Sequence, residues 1–474
     1  MGMNPPPKCH DSGSNTPIPN LSIYPYQSPA RPHQQEVAKV STHESALAQT
    51  ERTGQNVPVS RALKHLVDTD GAGTWPPKAT HGNTWPAALR PYHAIYLELA
   101  PYLATEDVVV DNDINAERCN SFRKRMREAL QERVNLADVK AILSATETGN
   151  REENGNEQAL TAARYNGFSA CIANLRHAFR WGVVPVVRVV QEEKIIDFPP
   201  ELDMPWPFIC RRYGVTSMGG NVMANYFCNF DDQERIVYQI NCGLSDVIRT
   251  AEYNFAHMFV VIERLSLPIY HEMAQAITHF STGNEKACLA SLRAINAQFP
   301  APLKVFYKTL VDTHISPKVW MHYVQGPTGW AAGEIIDGEY VEYDGLSGSH
   351  IPVFRIADAF LGVPAYFTEE NLRRYIPRAQ REFCDALCGF GLRERAREAG
   401  NGLIEGEMEK MVKQLRAFRA THRGRIHKYL SAPAPERLIM TAGKSVLESE
   451  QIPKIETAIQ HLDGILAKRI EETK

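Results

Sequence analysis

Between residues 407 and 430 a single histidine sits in the apolar stripe of an otherwise heavily charged helical segment. Met408, Met411, Leu415, Phe418, Ile426 and Tyr429 recur at intervals of three and four, the spacing that lines one helical face, and His422 falls in the same stripe. Glu407, Glu409, Lys410, Lys413, Arg416, Arg419, Arg423, Arg425 and Lys428 fill the other faces, so only one side is dry. An imidazole turned inward there either hydrogen-bonds a carbonyl or gives a ring nitrogen to a metal. His427 lies further along the chain, roughly 140° around the helix, so a two-histidine metal pair is not expected.

A second chemically suggestive stretch is 326–349, where glycines at 326, 329, 333, 338, 345 and 348 alternate with Trp330, Tyr340 and Tyr343. Its length and aromatic content predict a long ordered loop. The run Gly345-Leu346-Ser347-Gly348-Ser349-His350 allows close backbone approach to a ligand, or supplies a helix cap through Ser347 or Ser349. Cys384 and Cys388, one helical turn apart, read as two free core thiols.

The elements that must position these residues belong to a large chain. At 474 residues and 53.3 kDa it can bury an extensive core. A net charge of -3 and a pI near 6.6 give no basic field for nucleic acid or anionic lipid. No apolar run approaches the ~20 residues of a membrane helix. The N-terminus lacks the apolar core of a secretory signal, and the nine scattered cysteines form no CxxC pair. A soluble, cytoplasmic monomer is expected, without nucleic-acid or membrane partners.

Prolines and polar residues over 1–55 predict a disordered tail. Residues 56–203 read as a small mixed domain: an apolar run at 94–103, a charged helical stretch at 113–146, a helix at 158–181, and a Val- and Ile-rich strand or hairpin arm at 183–196. Prolines between 197 and 207 mark a link, and 204–474 reads as an all-helical domain. Segments 246–265 and 269–280 look like separate helices, with Glu252 and His257 near the apolar face of the first. Within 367–387, Pro377 either kinks one helix or opens a second.

Three segments in order, YDGLSGSHIPVFRIADAFLG, LRRYIPRAQREF and FRATHRGRIHKYL, resemble the indoleamine 2,3-dioxygenase family of histidine-ligated haem dioxygenases. Weaker likeness extends back through 212–263 and forward to Met440-Thr441-Ala442-Gly443. The resemblance implies a mainly α, helical haem-binding domain preceded by the smaller one. It places the proximal ligand of haem b iron on His422, which the apolar stripe already turns inward. Arg419 matches an arginine beside a haem propionate that pairs with an aspartate, here Asp358. Phe354 matches an aromatic packed on the porphyrin, Ser347 and Gly348 match the loop over the face where substrate and oxygen meet, and Thr441 matches a threonine of a Gly-rich C-terminal loop.

Two positions depart from the pattern. Where the family's substrate-carboxylate arginine is expected, the segment KVWMHYV puts Met321, with His322 beside it as the other substrate-contact candidate. Glu252 aligns near a small polar residue of the pocket; it is either a helix surface residue or, facing the haem, a carboxylate whose raised pKa would make it a catalytic proton donor or acceptor. The implied activity is insertion of O2 across the indole C2–C3 bond of tryptophan or a related indole, as in tryptophan catabolism to a kynurenine precursor. Rival readings are a same-fold haem enzyme acting on a non-tryptophan indole, and a haem-binding sensor without turnover.

Overall fold

The structure is a computed structural model that describes residues 58–149, 159–438 and 455–474, with the short pairs 440–441 and 444–445. The tail expected at 1–55 lies outside these residues. The described chain is mainly helical.

Helix Ala162–Trp181 runs through the interior, and every residue from Tyr165 to Trp181 is buried, including Arg176, His177 and Arg180. Arginine tolerates that position because its fork of donors is consumed by carbonyl groups. Arg180 donates to the carbonyls of Trp330 and Val190, and Arg176 to those of Met218 and Leu202 and to the Asp203 carboxylate. The charged stretch of the sequence is two helices, Asn112–Arg133 and Leu136–Glu147, each started by a side-chain cap, from Asp111 and Asn135.

The longest element is Asp246–Ser281, 36 residues, or about 54 Å at the usual rise. It passes through Pro268, where the sequence predicted a break. A proline inside a helix costs ~3 kcal/mol, but Ile262, Leu267, Ile269 and Tyr270 are all buried on both sides of it. Burying such side chains contributes about 1.5–3 kcal/mol each, which outweighs the defect. Helices Glu285–Gln298 and Pro300–Thr309 fold back on this rod, and Gly402–Leu430 packs along Glu285–Gln298.

Two expectations are corrected. Residues 183–196 form no strand: they make a helical turn, Arg188–Gln191, and isolated bridges Ala104↔Val184 and Ile195↔Gly333. Val183, Val186, Val187 and Val190 instead pack on Cys119 and Trp181. The 326–349 region is not all loop, because Ala332–Ile336 and Glu339–Tyr343 form an antiparallel hairpin in the register Ala332↔Tyr343. Its turn is Asp337-Gly338, both at positive φ, a pair suited to tight hairpins. One hydrophobic core of the described residues runs from Val59 to Phe418, across the boundary expected near 203.

The contact that ties this core together is the buried carboxylate of Glu263 on the long helix. Trp75 Nε1 and the Tyr270 hydroxyl donate to its Oε2, and the backbone N–H of Val353 donates to its Oε1. One side chain thus joins the N-terminal segment, the long helix and the start of helix Pro352–Leu361.

Candidate functional site

Helix Gly402–Leu430 is started by the Asn401 side chain, which accepts from the N–H of Ile404. Met408, Met411, Leu415 and Phe418 enter the core as their spacing predicts, and Ile404, one turn before them, is buried too. One turn on, the His422 ring stacks on Phe418 at 6.0 Å and meets Phe306 edge-on at 4.9 Å. Phe354 also stacks on Phe418, at 5.0 Å and nearly parallel. The residue keeps some accessible surface, but its Nδ1 is buried and has no hydrogen-bond partner among the described residues. Desolvation lowers the ring's pKa to about 4, so the imidazole is neutral at physiological pH.

Arg419 and Asp358, expected as a pair, are one. Arg419 Nη2 donates to both Asp358 oxygens at 2.7 Å. The C-terminal helix Ile455–Glu472 completes the cluster: Arg469 also donates to Asp358, and Arg419 donates to the Thr473 hydroxyl. Arg423 and Asp463 clamp the same two helices with paired hydrogen bonds of 2.6 Å.

A cavity of about 90 Å³ is walled by Tyr226, Phe255, Phe259, Trp320 and Ile351, with Gln325, Ser347 and Gly348 as polar or backbone contributions. Phe255 and Phe259, one turn apart on the long helix, present one face to it. Trp320 connects it to the histidine helix, its ring meeting Tyr429 edge-on at 5.5 Å. Trp320–Gln325 is a wide, i→i+5 turn, a departure from the α-helix often found at functional sites.

Ser347 is a cap: its hydroxyl accepts from the Ser349 N–H while His350 Nδ1 accepts from the Ser347 N–H. The cap reading and the cavity reading of this loop therefore coexist. Gly345 and Gly348 serve different ends. A Cβ on Gly345 would lie 2.5 Å from the Cα of Gly329, so glycine there lets two chain segments touch, whereas a Cβ on Gly348 meets nothing within 4 Å. Gly345→Ala is accordingly expected to cost about 1–3 kcal/mol of stability through overpacking. Gly348→Ala should leave the urea midpoint within about 0.5 kcal/mol of wild type, with a weakened affinity for whatever the cavity binds. Equal destabilisation by both variants would contradict this division.

Other expected site residues lie elsewhere. Met321 is buried with Leu430 and Ala432, outside the cavity wall. His322 turns to the Glu436 carboxylate, 2.6 Å away, and Arg437 donates to the carbonyl of Met321 and to the Gln325 side chain. The wide turn explains the shift, because its extra residue per turn rotates the segment and brings Trp320 and Gln325 to the cavity instead. Glu252 is not a surface residue. It is buried, and its oxygens accept from the N–H groups of Ile240 and Asn241 and from the Asn241 side chain. It does not line the cavity with Ser347 but a second one behind it. Thr441 lies in a two-residue strand paired with Lys444, and its side chain is outside the described residues.

A profile of the indoleamine 2,3-dioxygenase family matches residues 158–464, well over half of the chain. The chain belongs to that family. Among curated proteins, none matches. Family membership carries a haem-dioxygenase type of function in general, with a haem cofactor, a small-molecule substrate and O2. No helix of the described residues is long and apolar enough to cross a membrane, and no group of three or more metal-binding side chains occurs among them.

The residues fit a haem held by one axial ligand rather than a metal held by a protein cage. Desolvation favours the neutral imidazole of His422 that metal binding requires, and no group among the described residues takes its buried Nδ1. Aromatic rings flank it, as the apolar body of a porphyrin requires, and a guanidinium one turn earlier suits a propionate. Sequence reasoning missed Phe259, Trp320 and Gln325. An i, i+4 aromatic pair at 255 and 259 was the signal available for the first; the other two depend on a turn that periodicity does not reveal.

Proposed function

We propose that this chain is a haem b enzyme that inserts dioxygen across the C2–C3 double bond of an indole, and that His422 would hold the haem iron. The observation that carries the reading is the partly buried His422, whose Nδ1 has no partner among the described residues, set among Phe306, Phe354 and Phe418. Bound ferrous haem would supply the binding and activation of O2. In the overall change the C2–C3 bond breaks and each carbon takes one oxygen atom, giving a formamide and a ketone with no other co-substrate.

The chain's own part is ligation, orientation and exclusion of water. Arg419, held by Asp358, would meet a haem propionate, and Phe354 would pack near the porphyrin. Phe255, Phe259 and Trp320 form a slot that suits a flat aromatic substrate. Ser347 and Gly348 border the same space, where hydroxyl and backbone groups can orient substrate. Glu252 has no part in proton transfer in this reading, since its oxygens are occupied by three N–H donors.

The test is to reconstitute the full chain with haem, reduce it, and follow O2 uptake with tryptophan and simpler indoles. Uptake of one O2 per indole consumed supports the proposal. Haem binding without O2 uptake for any indole would favour a sensor.

A further inference from the structure

The carboxylate of Asp358 is shared between two helices. Arg419 Nη2 donates to both of its oxygens at 2.7 Å, and Arg469 Nη2, on the C-terminal helix, donates to Oδ2. These contacts close into a ring, because Arg419 Nη1 donates to the Thr473 hydroxyl and that hydroxyl donates to the carbonyl of Arg469 at 2.8 Å. Arg469 is itself fixed, its Nη1 donating to the Pro364 carbonyl at 2.6 Å and to Glu472 at 3.1 Å. Both terminal nitrogens of Arg419 therefore have set partners. Those partners take at most three of the five N–H groups that a guanidinium carries, so at least two are not spent on them.

The ring is nearly dry. The side chains of Arg419, Asp358 and Arg469 are 11%, 8% and 5% exposed, and Thr473 is buried. Two guanidinium groups on one carboxylate leave one positive charge among the three. Glu472 balances it, but from the Arg469 side and from a partly exposed position, where water screens it. An anion reaching Arg419 would thus meet a cation whose own carboxylate is divided with a second cation. It would also meet a group already ordered, which lowers the entropic cost of binding. A second contact joins the same two helices one residue past His422, the Arg423–Asp463 pair, but that pair is exposed and touches no part of the ring.

We propose that Arg469 and Thr473 are positioning residues for the cofactor: they fix the Arg419 guanidinium, through Asp358 and directly, in the pose that receives a haem propionate, so that the C-terminal helix sets how long haem is held. This rests on the reading that Arg419 meets a propionate.

The test follows release of haem, and of haem dimethyl ester, whose propionates carry no charge, from the reconstituted full chain to excess apomyoglobin. R469M should release haem about tenfold faster than wild type, the lower end of the effect of groups that orient a ligand. T473V, which keeps the shape of the side chain and removes one acceptor, should release it about threefold faster, the equivalent of one hydrogen bond. Neither variant should change the release of the ester, and D463N, which breaks the exposed pair alone, should match wild type with both porphyrins. Haem release unchanged in R469M and T473V, equal acceleration of haem and ester, acceleration by D463N as large as by R469M, or failure of both ring variants to hold either porphyrin would overturn the positioning role and leave His422 as the ligand. Wild type that releases haem and ester at one rate would remove Arg419 from the propionate as well. Wild type that binds neither porphyrin would overturn the haem reading itself.

Discussion

His422→Ala is expected to lose haem. After reconstitution and gel filtration the variant should show no Soret band, and its haem affinity should fall by more than about a hundredfold, since even partners behind a metal ligand are worth 10–100-fold. The structure makes this loss separable from unfolding. Among the described residues His422 Nδ1 has no partner to leave stranded, and the ring's contacts are edge and stacking contacts with Phe306 and Phe418. Truncation should therefore cost only about 1–2 kcal/mol of stability. Far-UV circular dichroism and the urea midpoint would show a folded protein without its chromophore. A full Soret band in the variant would remove His422 from the axial position.

Glu263→Ala is expected to have the largest effect on stability, roughly 4 kcal/mol. Three donors, Trp75 Nε1, the Tyr270 hydroxyl and the Val353 N–H, would be left buried without an acceptor. Removing one partner of a buried charged network typically costs 3–5 kcal/mol. The same carboxyl should give a pH signature. Burial raises its pKa from 4.5 to about 7 in the folded protein, against the pull of its three donors. A raised folded-state value means that the contribution is fully present below pH 4.5 and is lost as pH rises through 7. The span is roughly 3 kcal/mol.

Asp70, raised to about 7, titrates with the same sign, and the buried histidines oppose it. The difference between wild type and Glu263→Gln, measured by urea unfolding at pH 5 and pH 8, isolates the Glu263 share. A loss below 1 kcal/mol for the alanine variant, or parallel pH profiles for wild type and the glutamine variant, would contradict this role.

His422 was legible because a face of a helix is written in a three-to-four-residue spacing, and one histidine in that stripe needs no tertiary information to be turned inward. Asp358 and Arg419 are 61 positions apart, and their pairing came through resemblance rather than through spacing. Arg469 and Thr473, which finish that cluster, were invisible because nothing local marks a terminal helix as returning to the site. Met321 and His322 were named by alignment with the family's arginine segment, and alignment does not reveal that Trp320–Gln325 is a turn wider than α that gives Trp320 and Gln325 to the cavity. Glu252 was read as a surface or catalytic group because its partners, Ile240 and Asn241, belong to a preceding loop whose path no periodicity predicts. The hairpin at 332–343 was, by contrast, written in Asp337-Gly338 between alternating side chains; the surrounding glycines obscured it.

Mass spectrometry of the product formed under 18O2 tests the central claim most directly. Haem-loaded protein turning over an indole that it binds should yield a ring-opened product heavier than its substrate by two oxygen atoms, both from 18O2. A product carrying one labelled oxygen, or none, would show that this chain does not cleave the indole C2–C3 bond as a dioxygenase.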